Sequence, residues 1–401
     1  MPSVTIGTPM IYLDHAATSF PKPEPVYRKM DEFVRSAGAN PGRGGHRLAR
    51  EAEAMIEATR DLVAQLVGSR RRERVIFGLN ASDGLNMAIK GTLRPGDHVV
   101  TSVLEHNSIN RPLQRMEQEG TITVTRVSAS RDHRLDPDDI ARALAPRTRL
   151  VALTQASNVT GTIQPVAEIG RRVREHGALF LVDTAQSAGV VPIDMERDQL
   201  DLVAFTGHKG LYGPTGTGGL VVGERADVRP WREGGTGGDA SRPLQPEELP
   251  HRLEGGTPNV FGLAGLRAGL EWVIERGPEA ILAHERQLLA GLLSAMTRRD
   301  AYDWFGADGV LLDRRGEGRV GLVAFNLRGT SPSALATALE EKHGMAVRPG
   351  LHCAPHTHRH LGTFPAGAVR ISVGAFTTPE DLRAAAAALD RLALDSPPPA
   401  R

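Results

Sequence analysis

Between about residues 75 and 223, short apolar runs rich in branched side chains alternate with longer stretches whose apolar positions recur every three to four residues. The runs are RVIFG (74–78), HVVTS (98–102), RLVALT (149–154), ALFLVD (178–183), LVAFT (202–206) and GLVVG (219–223). Between them, 82–90, 107–117 and 166–176 carry the helical period. Runs this apolar leave no polar face, so both of their faces are buried. Strands of that kind separated by helices predict one large α/β domain with a mainly parallel sheet covered by helices.

The alternation stops at a Gly- and Pro-rich stretch, 234–258, whose length predicts a functional loop rather than a plain connector. A helix-rich segment follows from about Phe261. Then come VGLVAFNL (320–327), a helix over 332–342, a strand over 370–373 and a helix over 379–394. This tail reads as a smaller α/β domain. The alanines at 384–388 favour helix, and 396–401 are expected to fray. The expected division is an N-terminal segment (1–20) packed near the small domain and the active site, a large domain (21–260), and an interdomain helix with the small C-terminal domain (261–401). A length of 401 residues suits about two or three such units.

Charge adds mainly exclusions. With 48 basic and 47 acidic side chains there is no net field to attract nucleic acid or an anionic membrane. No stretch approaches the roughly 20 apolar residues of a membrane span, and the N-terminus lacks a signal-like apolar run, so a cytoplasmic protein is expected. The single cysteine, Cys353, excludes internal disulfides and leaves a choice between a buried inert residue and a reactive thiol.

Three places could carry chemistry. Lys209, in TGHKG, follows a buried strand at its carboxyl end, where α/β sheets bind ligands. A solvated loop lysine would look the same. Asp183 ends another apolar strand and could face a protonated ring nitrogen or cap the next helix. Ala81 and Ser82, in NASDG, open a helix whose N-terminal N–H groups and dipole suit a phosphate. Together, lysine, carboxylate and phosphate cradle describe a site for pyridoxal 5'-phosphate (PLP).

The motifs YLDHAATSFPKP, NPGRGGHR, EHNS, SNVTGT, VDTAQSAG, TGHKGLYGPTGTGG, EGGTPN, RPGLHC and VRIS run in order along nearly the whole chain. In these the sequence resembles the class V aminotransferase-like family of fold type I PLP enzymes, and within it the cysteine desulfurases and selenocysteine lyases. The resemblance implies that Lys209 holds the cofactor, Asp183 pairs with its ring nitrogen, Gln186 donates to its phenolic oxygen and His106 stacks on the ring and moves protons. It implies phosphate contacts from Ala81, Ser82, Thr206 and His208, and from Gly256 and Thr257 of a neighbouring subunit, hence a homodimer. Asn158 and Arg370 correspond to the pair that receives the substrate carboxylate, a task that suits arginine's planar fork, and Arg348 belongs to the same substrate side. Arg43 and His46 match a segment near the active-site mouth without a defined role.

Cys353 stands in a loop-like R-x-G-x-H-C-A motif similar to that of desulfurases with a nucleophilic cysteine. The attacking species is the thiolate, favoured by positive charge from Arg348 or a protonated His352. The resemblance therefore implies conversion of L-cysteine, or L-selenocysteine, to L-alanine, with sulfur taken as a Cys353 persulfide and passed to an acceptor protein. A lyase, aminotransferase or epimerase that ignores Cys353 is the alternative. His352, His356, His358 and His360 crowd the cysteine, but alternate histidines are not a standard zinc spacing, so no metal is expected. The family motif gives His356, His358 and His360 no role; they could face an acceptor or solvent.

Overall fold

A computed structural model describes residues 10–42, 45–236, 241, 243–306 and 318–395. Arg43, which carries no assigned role, and the tail expected to fray, 396–401, lie outside them. The first half of the chain contains β1 (Ile11–Tyr12), α1 (Glu24–Ala37), α2 (Arg47–Leu66), β2 (Val75–Gly78), α3 (Ala81–Thr92), β3 (His98–Ser102), α4 (Asn107–Gln118) and β4 (Thr123–Val127). Next come α5 (Pro137–Ala143), β5 (Thr148–Thr154), α6 (Val166–His176), β6 (Leu179–Asp183), β7 (Leu202–Thr206) and β8 (Gly218–Val222). The second half holds α7 (Val260–Arg276), α8 (Pro278–Ala295), β9 (Tyr302–Phe305), β10 (Leu322–Leu327) and α9 (Pro332–His343). It closes with β11 (Met345–Ala346), β12 (Arg348–Gly350), α10 (Pro355–His360), β13 (Ala368–Ser372) and α11 (Pro379–Asp395).

Seven strands form one sheet in the order β2-β8-β7-β6-β5-β3-β4. The pairings from β7 to β4 are parallel, and β8 alone runs antiparallel to both its neighbours. Successive strand residues point to opposite faces. Val151, Phe180, Val182 and Val203 thus pack into one core, while Leu150, Leu179, Leu181 and Leu202 pack into another beneath the opposite helices. This is the doubly covered sheet that the apolar runs predict. A second, antiparallel sheet, β12-β13-β10-β9, has its own core with Leu288, Leu292 and Leu389. Segment β1 pairs in parallel with β11 as a separate two-stranded sheet, and a bridge between Asp14 and Ser372 of β13 ties the N-terminal residues to the smaller sheet.

Because the sheet's parallel strands share one direction, their carboxyl ends open at one mouth. The register aligns Thr154 with Asp183, and α3 starts three residues beyond β2 at the same edge. Gly84 in the first turn of α3 makes that start possible. A Cβ there would lie 2.2 Å from the Gly219 carbonyl oxygen of β8, so only glycine lets the helix N-terminus rest on the sheet. Gly84→Ala is expected to cost about 3 kcal/mol by overpacking against backbone, measured by urea unfolding.

Candidate active site

At the mouth lies a cavity of about 300 Å³ lined by Ala81, Ser82, His106, Asn158, Asp183, Gln186, Thr206, His208, Lys209 and Arg348 among others. The Asn80 side chain caps α3 by accepting from the Asp83 N–H at 3.1 Å, which leaves the N–H groups of Ala81 and Ser82 directed outward from the first turn. On the facing strand end, Thr206 Oγ1 and His208 Nδ1 are buried without a hydrogen-bond partner among the described residues. Buried polar atoms normally find partners, so this cluster is built to receive a polar group. Burial and the charges of Lys209 and Lys22 lower the His208 pKa to about 4, leaving its ring neutral. The donor set fits a phosphate.

Lys209 lies on the turn after β7. Burial pushes its pKa down to about 8, helped by Arg370 and Arg348 and opposed by Asp183. Its Nζ makes no hydrogen bond among the described residues. Asp183 is fully enclosed; burial raises its pKa, while the Ala185 N–H at 2.9 Å and the Lys209 charge oppose that rise. His106 is desolvated and surrounded by Lys209, Arg348, Arg111 and Arg370, which bring its pKa to about 4. Its Nδ1 accepts from the Ser108 N–H at 3.1 Å, so the neutral ring carries its proton on Nε2. Gln186 donates its Nε2–H to the Ala16 carbonyl at 3.0 Å.

Arg370 is wholly buried on β13, directly across from Arg348 on β12. Its Nη1 donates to the Asn158 carbonyl at 2.9 Å and its Nη2 to Asp14 Oδ1 at 2.8 Å; its Nε is buried without a partner among the described residues. Asn158 lines the cavity, and Arg370 stands behind it. The two expected carboxylate receivers are therefore adjacent, and each of the arginine's outer nitrogens uses one of its two N–H groups on these contacts.

Cys353 is exposed just past β12, and Arg348 Nη2 reaches to 3.6 Å from its Sγ. His352 and Cys353 both have positive φ, 48° and 57°, which costs about 1–2 kcal/mol each for non-glycine residues. The large domain holds this turn: the Asn107 N–H donates to the Cys353 carbonyl at 2.7 Å and Asn158 Nδ2 to the His352 carbonyl at 2.6 Å. Cys353 also lines a groove of about 890 Å³ that shares Ser82, His106 and Ser108 with the inner cavity. Thiol and lysine thus stand at adjoining openings.

Three expectations change here. A protonated His352 is excluded, because burial lowers its pKa to about 2, so Arg348 is the cation beside the thiol. His358 faces inward and is fully buried, although His360 is exposed. The loop around the cysteine is a strand, a turn and a short helix. His46 caps α2 through its Nδ1 and the Ala49 N–H at 3.3 Å. Gly256 and Thr257 line a separate cavity with Glu53 and Arg60, away from the inner one of the same chain.

Residue-by-residue reading missed Glu105, Asp14 and Asn107. Glu105 is fully buried, accepts from Ser102 Oγ at 2.5 Å, and is pushed up to about 8 by burial and the nearby Asp183. Its position beside His106 in EHNS was the available signal.

The class-V aminotransferase profile ("Aminotransferase class-V") matches residues 11–384. The chain belongs to that family. Among class-V relatives, a probable cysteine desulfurase of Methanothermobacter thermautotrophicus is 34% identical over 96% of this chain and 94% of its own. A cysteine desulfurase of Pectobacterium atrosepticum is 31% identical, with 96% and 94% covered. The apo structure of a cysteine desulfurase from Thermococcus onnurineus superposes with a TM-score of 0.88 at 31% identity, covering 96% of this chain and 95% of that one. The Escherichia coli cysteine desulfurase CsdA, in an S-sulfonic acid form, gives 0.84 at 31%, again with 96% and 95% covered. The large mainly parallel sheet and smaller second sheet are this class-V fold.

Proposed function

We propose that the chain is a PLP-dependent cysteine desulfurase, which converts L-cysteine to L-alanine and takes the sulfur onto Cys353. The observation that carries the reading is the placement of the Cys353 thiol, with Arg348 beside it, at an opening that adjoins the Lys209 cavity. The N–H groups of Ala81 and Ser82, with Thr206 Oγ1 and His208 Nδ1, would hold the cofactor phosphate. Asp183 would face its ring nitrogen, Gln186 its phenolic oxygen, and the neutral His106 ring its face. Bound there, PLP supplies an electron sink that acidifies the substrate Cα–H.

The chain's own groups do the rest. Lys209 Nζ, whose pKa lies near 8, holds the cofactor and then takes and returns the Cα proton. Arg370, through its uncommitted N–H groups, and Asn158 would receive the substrate carboxylate. The Cys353 thiolate attacks the substrate sulfur: an S–S bond forms, the substrate C–S bond breaks, and carbon keeps the bonding pair and gains a proton to become the alanine methyl. Cys353 is left as a persulfide for an acceptor protein. Gly256 and Thr257 would reach the phosphate of a second copy, making a homodimer, and a boundary near residue 260 would separate the large and small domains.

Incubation with cysteine and with selenocysteine, measuring alanine and sulfide or selenide, tests the reading. Cys353→Ser is expected to lose at least about a hundredfold of its alanine formation from cysteine while keeping bound cofactor. Normal cysteine turnover by that variant would overturn the role of Cys353. Persistent selenocysteine cleavage would mark a selenium-directed lyase.

A further inference from the structure

The histidines around Cys353 form a directed chain of hydrogen bonds. His352 Nε2 lies 3.0 Å from the Arg348 carbonyl oxygen, which can only accept, so Nε2 carries the proton. In the neutral ring, Nδ1 is then an acceptor, and His358 Nε2 at 3.2 Å must donate to it. His358 Nδ1 is left to accept from Thr363 Oγ1 at 2.7 Å. Burial keeps both rings neutral, with pKa values lowered to about 2 and about 4. One proton arrangement therefore satisfies the whole run from Thr363 through His358 and His352 to the backbone of Arg348.

That endpoint matters because Arg348 is the residue whose guanidinium stands against Cys353 Sγ, and His352 and Cys353 both hold left-handed backbone. The bonds from Asn107 and Asn158 grip this turn only from the large-domain side. The histidine chain grips it from the small-domain side. We infer that His358, backed by Thr363, is a positioning residue for Cys353: it fixes the His352 tautomer that holds the Arg348 carbonyl, and so sets the guanidinium against the thiol. The inference deepens the reading of Cys353 as the attacking thiol and rests on it for its bearing on turnover.

Cys353 is the sole cysteine of the chain, so alkylation by iodoacetamide reports this thiol alone. With the full-length, cofactor-loaded protein at neutral pH, His358→Leu is expected to slow alkylation roughly fivefold, the size of about one net hydrogen bond. His358→Gln, whose amide offers one donor and one acceptor, is expected to stay within about twofold of the unaltered chain. Should His358→Leu fail to fold by circular dichroism, Thr363→Val replaces it, with an expected slowing of about threefold. Unchanged labelling in the apolar variant overturns the inference. So does labelling of His358→Gln as slow as that of His358→Leu, which would make His358 a packing residue. Alanine formation from cysteine by the unaltered chain is measured alongside; its absence would remove the assigned activity while the labelling contrast still reports on the turn.

Discussion

Lys209→Ala is expected to abolish alanine formation, by about 10⁴-fold or more, or about 5.4 kcal/mol of barrier. The protein should also lose the visible absorbance of a covalently held cofactor. The size of the effect follows from two tasks resting on one amine. Lys209 would anchor the cofactor and, once displaced by substrate, carry the Cα proton. The site prepares the amine for both, because burial and the guanidinium groups of Arg370 and Arg348 bring its pKa to about 8, while Asp183 limits the shift. An arginine at 209 would keep the charge but could do neither task, so Lys209→Arg is expected to be as inactive as the alanine variant. Turnover and absorbance, followed together in purified protein, check both. Retained turnover in either variant would contradict the role of the lysine.

Arg370→Ala is expected to lower kcat/KM for cysteine by about a thousandfold, mostly through KM, and to destabilise the fold by about 3 kcal/mol. The two effects have different origins in the same side chain. The Nε–H, buried without a partner among the described residues, and the second N–H of each outer nitrogen would be left for the substrate carboxylate. The outer nitrogens join three segments: β13 carries the arginine, Asp14 lies just after β1, and Asn158 follows β5. Removing the guanidinium leaves Asp14 and the Asn158 carbonyl facing a gap. Asp14→Asn separates the contributions, since it weakens the tie to the N-terminal segment while leaving Arg370 in place. It is expected to cost about 1–2 kcal/mol with a smaller change in KM. Urea unfolding and steady-state kinetics read the two arms.

Much of this architecture was legible in hydrophobic patterning. Strands β5, β6 and β7 read clearly because both of their faces are buried, and their ends pointed to Asp183 and Lys209. Edge strand β4 was missed because Thr123 to Arg126 alternate exposed and half-buried positions with no apolar run. Strand β9 was also missed, its four residues mixing aromatic and acidic side chains. At the site, Lys209 and Asp183 were singled out by chemistry and strand position, and Thr206 and His208 by the resemblance; all four line one cavity. Glu105 and Asp14 were not, since their roles depend on contacts with distant segments, Asp183 and Arg370, that no local pattern encodes. His358 was left without a role for a related reason: its partners lie six residues before it and five after it, brought in by a backbone with positive φ.

If Cys353 takes sulfur as proposed, the grip on its turn would limit how that sulfur can leave. With the carbonyls of His352 and Cys353 both held from the large domain, the thiol has little freedom beyond rotation of its own side chain. Under the proposed function, sulfur captured by Cys353 would stay at that opening. The chain has no second thiol to relay it. Reach would then come from the collecting molecule, which would bring a projecting nucleophile of its own to a fixed loading point.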